Sequence, residues 1–154
     1  MTTTGQARRI VAGRDAQGRS CVVSETPIPT TSDIPGIGVI NLWSGASAPV
    51  DNAAPLAEGL APFRLEQLAE PVYAMMLAEY PPGMGQSDPH MHFTDTADHF
   101  YVIEGEVVLV LESGDVLLKA GDVGICRGVL HGWRNDSPAP ARLVTFVLPA
   151  KAAA

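Results

Sequence analysis

The chain is poor in basic residues, cysteine and long apolar runs, and each shortage removes a class of function. Ten Lys and Arg face seventeen Asp and Glu, for a formal net charge of −7. Nucleic acid and anionic membrane surfaces are bound by clustered cations that displace counterions, so neither is an expected partner. Two cysteines, Cys21 and Cys126, are too few for a disulfide framework in 154 residues. Without an export signal they are expected as free thiols. The opening MTTTGQARR carries two arginines but no apolar stretch follows it, and no run is long enough to span a bilayer, so a cytoplasmic location is expected. No glycine-rich phosphate loop or dinucleotide fingerprint is present, which removes the common organic cofactors, and no internal repeat is evident.

What is present describes a folded β protein. Apolar residues make up 46% of the chain and charged residues 18%, a balance that supports one packed domain and argues against disorder. Residues 9–12 and 20–24 flank the turn-rich stretch 13–18 and read as a hairpin. A segment rich in Pro, Thr and Gly follows at 26–38, and 39–43 resumes a strand pattern. Between 44 and 71 the composition shifts to Ala, Pro and Gly, with 63–68 the only piece able to make a turn of helix; this reads as a long loop and a candidate lid. From residue 72 the spacing predicts strands over 72–80, 89–93, 98–104, 106–111, 116–119, 124–127, 128–134 and 142–148, separated by Gly, Asp, Asn and Pro turns. Many short strands without intervening helices predict an all-β sandwich or barrel. Two regions follow: 1–71, a hairpin, strand and long loop lying on or across a barrel, and 72–150, the barrel itself.

Histidine carries the candidate chemistry. His90 and His92 stand one residue apart, His131 lies far along the chain, and Asp98 falls between them. Imidazole nitrogen and carboxylate oxygen are donors that first-row divalent metals accept, and three or four of them leave coordination positions open for substrate. On a strand over 89–93, His90 and His92 would point the same way, and an intervening turn could deliver Asp98 to the same cavity. A core histidine satisfied by its neighbours is the alternative for each. His99, adjacent to Asp98, is expected on the opposite face and outside the site. Phe100 and Val102 alternate with Asp98, and Trp133 with His131, so these read as inner packing or as the wall of a substrate pocket. Cys126 reads as small buried filler or as a thiol near that pocket.

These motifs resemble those of the cupins, small jelly-roll barrels built as a double-stranded β-helix that hold a metal inside the mouth. The first cupin motif combines Gly, His-x-His, an acidic residue and a closing Gly, and this chain presents Gly85, His90, His92, Asp98 and Gly105. The second places Gly three residues before a His and Asn four residues after it, as at Gly128, His131 and Asn135, preceded by the turn Gly121-Asp122. The resemblance covers residues 72–150, about half the chain, and implies a jelly-roll barrel with extra N-terminal strands. It also implies His90, His92, Asp98 and His131 as four metal ligands. The usual Glu of the first motif is Asp98 here, after a longer gap from His92, and the usual proline of the second motif is Cys126. Asp98 therefore either binds the metal or orients a ligand. Residues 91–98 are similar to a subgroup of small bacterial cupins of unassigned activity in which the first histidine is often absent.

For function, the resemblance implies a metal-dependent enzyme acting on a small oxygenated organic molecule. Iron with open positions can hold a bidentate oxygenated substrate beside O2, which makes a dioxygenase for a diketone, phenol or hydroxy acid the first expectation. Manganese, nickel or zinc in the same ligands can act as a Lewis acid for a decarboxylase, isomerase or lyase, with a nearby side chain moving the proton. A small-molecule binding module without catalysis is the third reading, and the sequence names no catalytic side chain. The N-terminal strands exceed what the barrel requires and could add to the edge of a neighbouring barrel, so a homodimer is expected.

Overall fold

Alternation of apolar side chains sets the architecture. The computed structural model describes residues 7–29, 38–46, 50–53, 61–62 and 72–152, and among them every regular element is a β-strand. In chain order these are β1 (Arg8–Arg14), β2 (Ser20–Pro27), β3 (Gly38–Ala46), β4 (Ala61–Pro62), β5 (Val72–Tyr80), β6 (Thr96–Glu104), β7 (Glu106–Leu111), β8 (Val116–Lys119), β9 (Val123–Arg127), β10 (His131–Arg134) and β11 (Ala141–Pro149). No helix among the described residues is long and apolar enough to cross a membrane.

All pairings are antiparallel. The larger sheet runs β4-β3-β5-β11-β6-β9, the smaller β10-β7-β8, and β1 pairs with β2 alone. Sequence-distant strands lie side by side, with β11 between β5 and β6, which is the crossover pattern of a jelly roll. The inner faces of both sheets share the main core, to which β5 gives Ala78 and Tyr80, β6 Phe100 and Val102, β11 Leu143, and β7 Val107 and Leu109, while Ala74 and Met76 of β5 pack with Val147 of β11 in a second cluster. Each large apolar side chain buried this way contributes roughly 1.5–3 kcal/mol. Gly105 reverses the chain between β6 and β7 at φ 73°, with Pro140 O 2.5 Å from where a Cβ would stand, so the turn requires glycine twice over.

Hairpin β1-β2, strand β5 and, apart from 89–93, the close-spaced strands after it follow the sequence pattern. The cysteines are free, Cys21 in the hairpin and Cys126 buried in the barrel. Most of 44–71, including the candidate helical turn at 63–68, lies outside the described residues. The N-terminal region does more than lie across the barrel, because β3 pairs along the length of β5 and extends the larger sheet.

One expected strand is absent. Residues 83–92 instead follow β10 as an irregular ribbon, bonded from Asn135 N to Met84 O (2.8 Å), from Trp133 N to Pro89 O (3.1 Å) and through a bridge between His92 and His131. Pro89 has no N–H to give a ladder, and His90 adopts a left-handed φ of 51°, so period-two alternation fails there.

Candidate functional site

The site is built on a single bridge. His92 N donates to His131 O (2.8 Å) and His131 N to His92 O (3.0 Å). Directly opposed residues of an antiparallel pair project their side chains to the same side. The two imidazole centroids accordingly lie 4.4 Å apart, with the rings tilted by 52°. The ribbon can approach because residue 132 is glycine: a Cβ there would stand 2.5 Å from Pro89 O.

Backbone carbonyls fix the tautomers. His92 Nδ1 lies 2.9 Å from His90 O, and His131 Nδ1 lies 2.9 Å from Val129 O. A carbonyl only accepts, so each Nδ1 carries a proton, which in the neutral imidazole leaves the lone pair on Nε2. Burial lowers the basicity of His131, and the neighbouring His92 adds to the effect against the opposing pull of Val129 O and Asp98. Neutral imidazole with Nδ1–H held by a carbonyl is the form that ligates metal through Nε2.

Asp98 sits on the inward face of β6, opposite Cys126 of β9. Its Oδ1 accepts a 2.7 Å hydrogen bond from Thr96 Oγ1, and Thr96 bonds in turn to Thr94 Oγ1 at 2.7 Å. The carboxylate is close enough for its charge to act on His131, Tyr80 and Cys126. Burial, reinforced by Asp98, pushes the Cys126 thiol up to about 11 and holds the Tyr80 phenol above its ordinary range. Both remain protonated at neutral pH.

The structure brings together His92 and His131 and sets Asp98 near them; it does not bring His90. With its left-handed backbone, His90 leaves 70% of its side chain exposed and directs Nδ1 to within 3.5 Å of Asp88. The expectation that His90 and His92 share a direction rested on a strand over 89–93, which does not form. Among the described residues no three His, Cys, Asp or Glu side chains converge as a ready-made metal cluster. His99 lies on the outward face of β6, as its adjacency to Asp98 predicts, with Nδ1 buried and unbonded.

Behind the histidines stands an aromatic stack. Trp133 meets His131 edge-on at 6.1 Å, Phe100 edge-on at 5.2 Å and Tyr80 at 5.5 Å. Phe100, Val102, Cys126 and Trp133, read from sequence as pocket wall or packing, all belong to the packed core cluster. Sequence reasoning missed Thr96 and Tyr80. Thr96 could have been found as the residue two before Asp98 on the same strand face; Tyr80 was visible only as the last inward position of β5. A cavity of about 400 Å³ lies between β1 and the outer face of the larger sheet, against Leu42, Trp43 and Met75, and shares no residue with the histidine pair.

Several known proteins are similar to part of this chain. The phomopsin biosynthesis cluster protein C′ of Diaporthe leptostromiformis is 48% identical over 63 residues, covering 40% of this chain and 33% of that protein. The cupin-domain-containing oxidoreductase srdB of Neurospora crassa is 50% identical over 52 residues, covering 32% of this chain and 26% of its own length. The chain spans about a third of the length of the curated relatives it matches. A crystal structure from Klebsiella pneumoniae with a double-stranded β-helix domain superimposes with a TM-score of 0.46 at 28% identity, over 53% of this chain and 70% of that one. Residues 76–147, from within β5 to within β11, match the family model Cupin_2, the cupin domain. With an all-β barrel whose opposed histidines come one from each motif, residues 76–147 form a cupin domain.

Proposed function

We propose that this protein is a metal-dependent oxidoreductase, an iron dioxygenase acting on a small oxygenated organic molecule. The observation that carries the reading is the bridge-locked pair of His92 and His131, each with Nδ1–H bonded to a carbonyl and Nε2 left as a donor. This donor chemistry fits a first-row divalent ion; His92 and His131 would hold it, with Asp98 the candidate third donor and His90 outside the set. Bound there, iron supplies a Lewis-acidic, redox-active centre with positions open to an oxygenated substrate. The chain itself excludes water behind the pair with the Trp133, Phe100 and Tyr80 stack, and keeps the Cys126 thiol and Tyr80 phenol protonated. Redox chemistry is favoured over lyase or isomerase chemistry because two relatives bear the name cupin-domain-containing oxidoreductase.

Elemental analysis of protein purified without chelator or nickel resin, paired with oxygen uptake against diketones, phenols and hydroxy acids, tests the reading. Iron near one equivalent with substrate-dependent oxygen consumption is expected, and His92→Ala and His131→Ala should each lose the metal while keeping the wild-type circular dichroism. Stoichiometric metal in both variants would overturn the site. Zinc, manganese or nickel without oxygen consumption would replace the dioxygenase with Lewis-acid chemistry.

A further inference from the structure

Between His92 and Asp98 the chain carries a hydroxyl at each second position, Thr94 and Thr96, and the two join Asp98 in one hydrogen-bonded chain. The carboxylate sets its direction. A carboxylate only accepts, so Thr96 Oγ1 commits its single proton to Asp98 Oδ1 at 2.7 Å. Thr96 Oγ1 then has only lone pairs to offer Thr94, and the 2.7 Å bond between the hydroxyls is donated by Thr94 Oγ1. Each bond polarises the next, so the chain strengthens toward Asp98. Among the described residues no hydrogen bond is made to the other oxygen, Oδ2.

We infer that Thr96 is a positioning residue for the metal site proposed above: its hydroxyl pins one oxygen of Asp98 and leaves Oδ2 as a single, oriented donor to the metal. The inference rests on that reading of His92, His131 and Asp98. Thr96 is itself firmly held. It is 4% exposed at the start of β6, pairs with Pro149 of β11, and its carbonyl accepts from Gly128 N at 2.9 Å, so the residue that braces the first motif is tied to the glycine of the second. A buried hydroxyl is costly unless bonded, and valine would fill nearly the same volume, so what threonine adds here is the bond to Asp98. Aspartate is one methylene shorter than glutamate and follows a longer turn from His92. An unbraced carboxylate in that place must be ordered when the metal binds, whereas the Thr96 bond makes the ordering part of the fold. A pinned Oδ1 also disfavours chelation by both oxygens, which keeps a further coordination position for substrate.

Titration of Co(II) into the metal-stripped full chain, followed by calorimetry and by the visible bands of the bound ion, tests the brace without any substrate. Thr96→Val should weaken Co(II) binding by about 10–100-fold, and Thr96→Ser, which keeps the hydroxyl, should restore most of the loss. In an Asp98→Ala background Thr96→Val should cost nothing further, because the group it acts through is gone. A purely structural role for Thr96 predicts the opposite, an equal loss in both backgrounds. Should Thr96→Val fail to fold, Thr94→Val takes its place: a loss of affinity that disappears in the Asp98→Ala background supports the chain of hydroxyls, and wild-type affinity overturns it. Wild-type affinity in Thr96→Val, failure of the serine to rescue, or an equal loss in both backgrounds would each overturn the inference. Asp98→Ala with wild-type affinity would overturn it too, while leaving the His92 and His131 pair as the site. A wild type that binds no Co(II) would overturn the metal reading itself and this inference with it.

Discussion

Asn135 is the most deeply buried polar residue among the described residues. It is fully buried, and its amide makes three hydrogen bonds: Nδ2 donates to Tyr80 O (2.8 Å) and Ala139 O (2.9 Å), and Oδ1 accepts from Ser137 N (2.9 Å). Replacing it by alanine does not orphan all three partners equally. Ala139 O keeps the Ser137 hydroxyl at 2.8 Å, and half-exposed Ser137 can turn to water, so Tyr80 O is the partner most dependent on Asn135. One buried acceptor left unpaired costs about 1–3 kcal/mol and each net bond lost about 1, so Asn135→Ala should destabilise by about 3 kcal/mol. Against an m value of roughly 1–3 kcal/mol/M, the urea midpoint should fall by about 1–3 M, read from Trp fluorescence. Asn135→Asp sharpens the test. It keeps the acceptor for Ser137 N but turns a carboxylate toward two carbonyl oxygens, so its folded pKa lies above the unfolded value. The unfolded state then loses its proton first, and the variant's stability falls as pH rises through the window between the unfolded and folded values. It should therefore recover toward wild type near pH 4 relative to pH 7. A loss below about 1 kcal/mol for the alanine variant, or a pH-independent deficit for the aspartate variant, would show that these bonds do not stabilise the fold as argued.

The two thiols should separate cleanly. At pH 8 one equivalent, Cys21, should react with a disulfide reagent in the native protein, and the second, Cys126, only in denaturant, because burial pushes Cys126 up to about 11. The same shift means that Cys126 favours the folded state less as pH rises from 9.0 to about 11, where the unfolded thiol ionises first, a decline that Cys126→Ala should remove from the melting temperature's pH profile. His90→Gly should leave metal content at the wild-type level and stability unchanged or raised by up to about 1 kcal/mol, since relief of the left-handed backbone offsets the chain entropy of glycine. A loss of metal on elemental analysis would restore His90 to the ligand set.

Much of the fold was legible because it depends on local alternation. Strand β5 reads directly from its inward Ala74, Met76, Ala78 and Tyr80, and the Gly105 turn from a glycine between two strand patterns. The place of β3 was not legible, because its pairing with β5 joins residues far apart in sequence and no periodicity encodes a partner. The covering of Trp43 by Arg9 escaped for the same reason. Cys126 and Trp133 were ambiguous between wall and core, since an inward position on a barrel strand serves either end. Their membership in the core cluster came only with the packing of the facing sheet.

At the site, the sequence signal and the geometry differ in a way that has a cause. The His-x-His spacing suggests a site made within one strand, by alternation. What forms is a pair made between segments, by the reciprocal bonds of His92 and His131 across the ribbon and β10. Alternation fails at residue 90 because Pro89 cannot donate and Asp88 Oδ1 captures His90 N at 2.8 Å, holding the backbone where φ is positive. His90 then contributes its carbonyl rather than its ring, and that carbonyl fixes the His92 tautomer. The first histidine of the motif thus acts on the second through the main chain. That role needs no imidazole, so a different residue at position 90 can preserve the geometry of the pair while a change at 92 or 131 cannot.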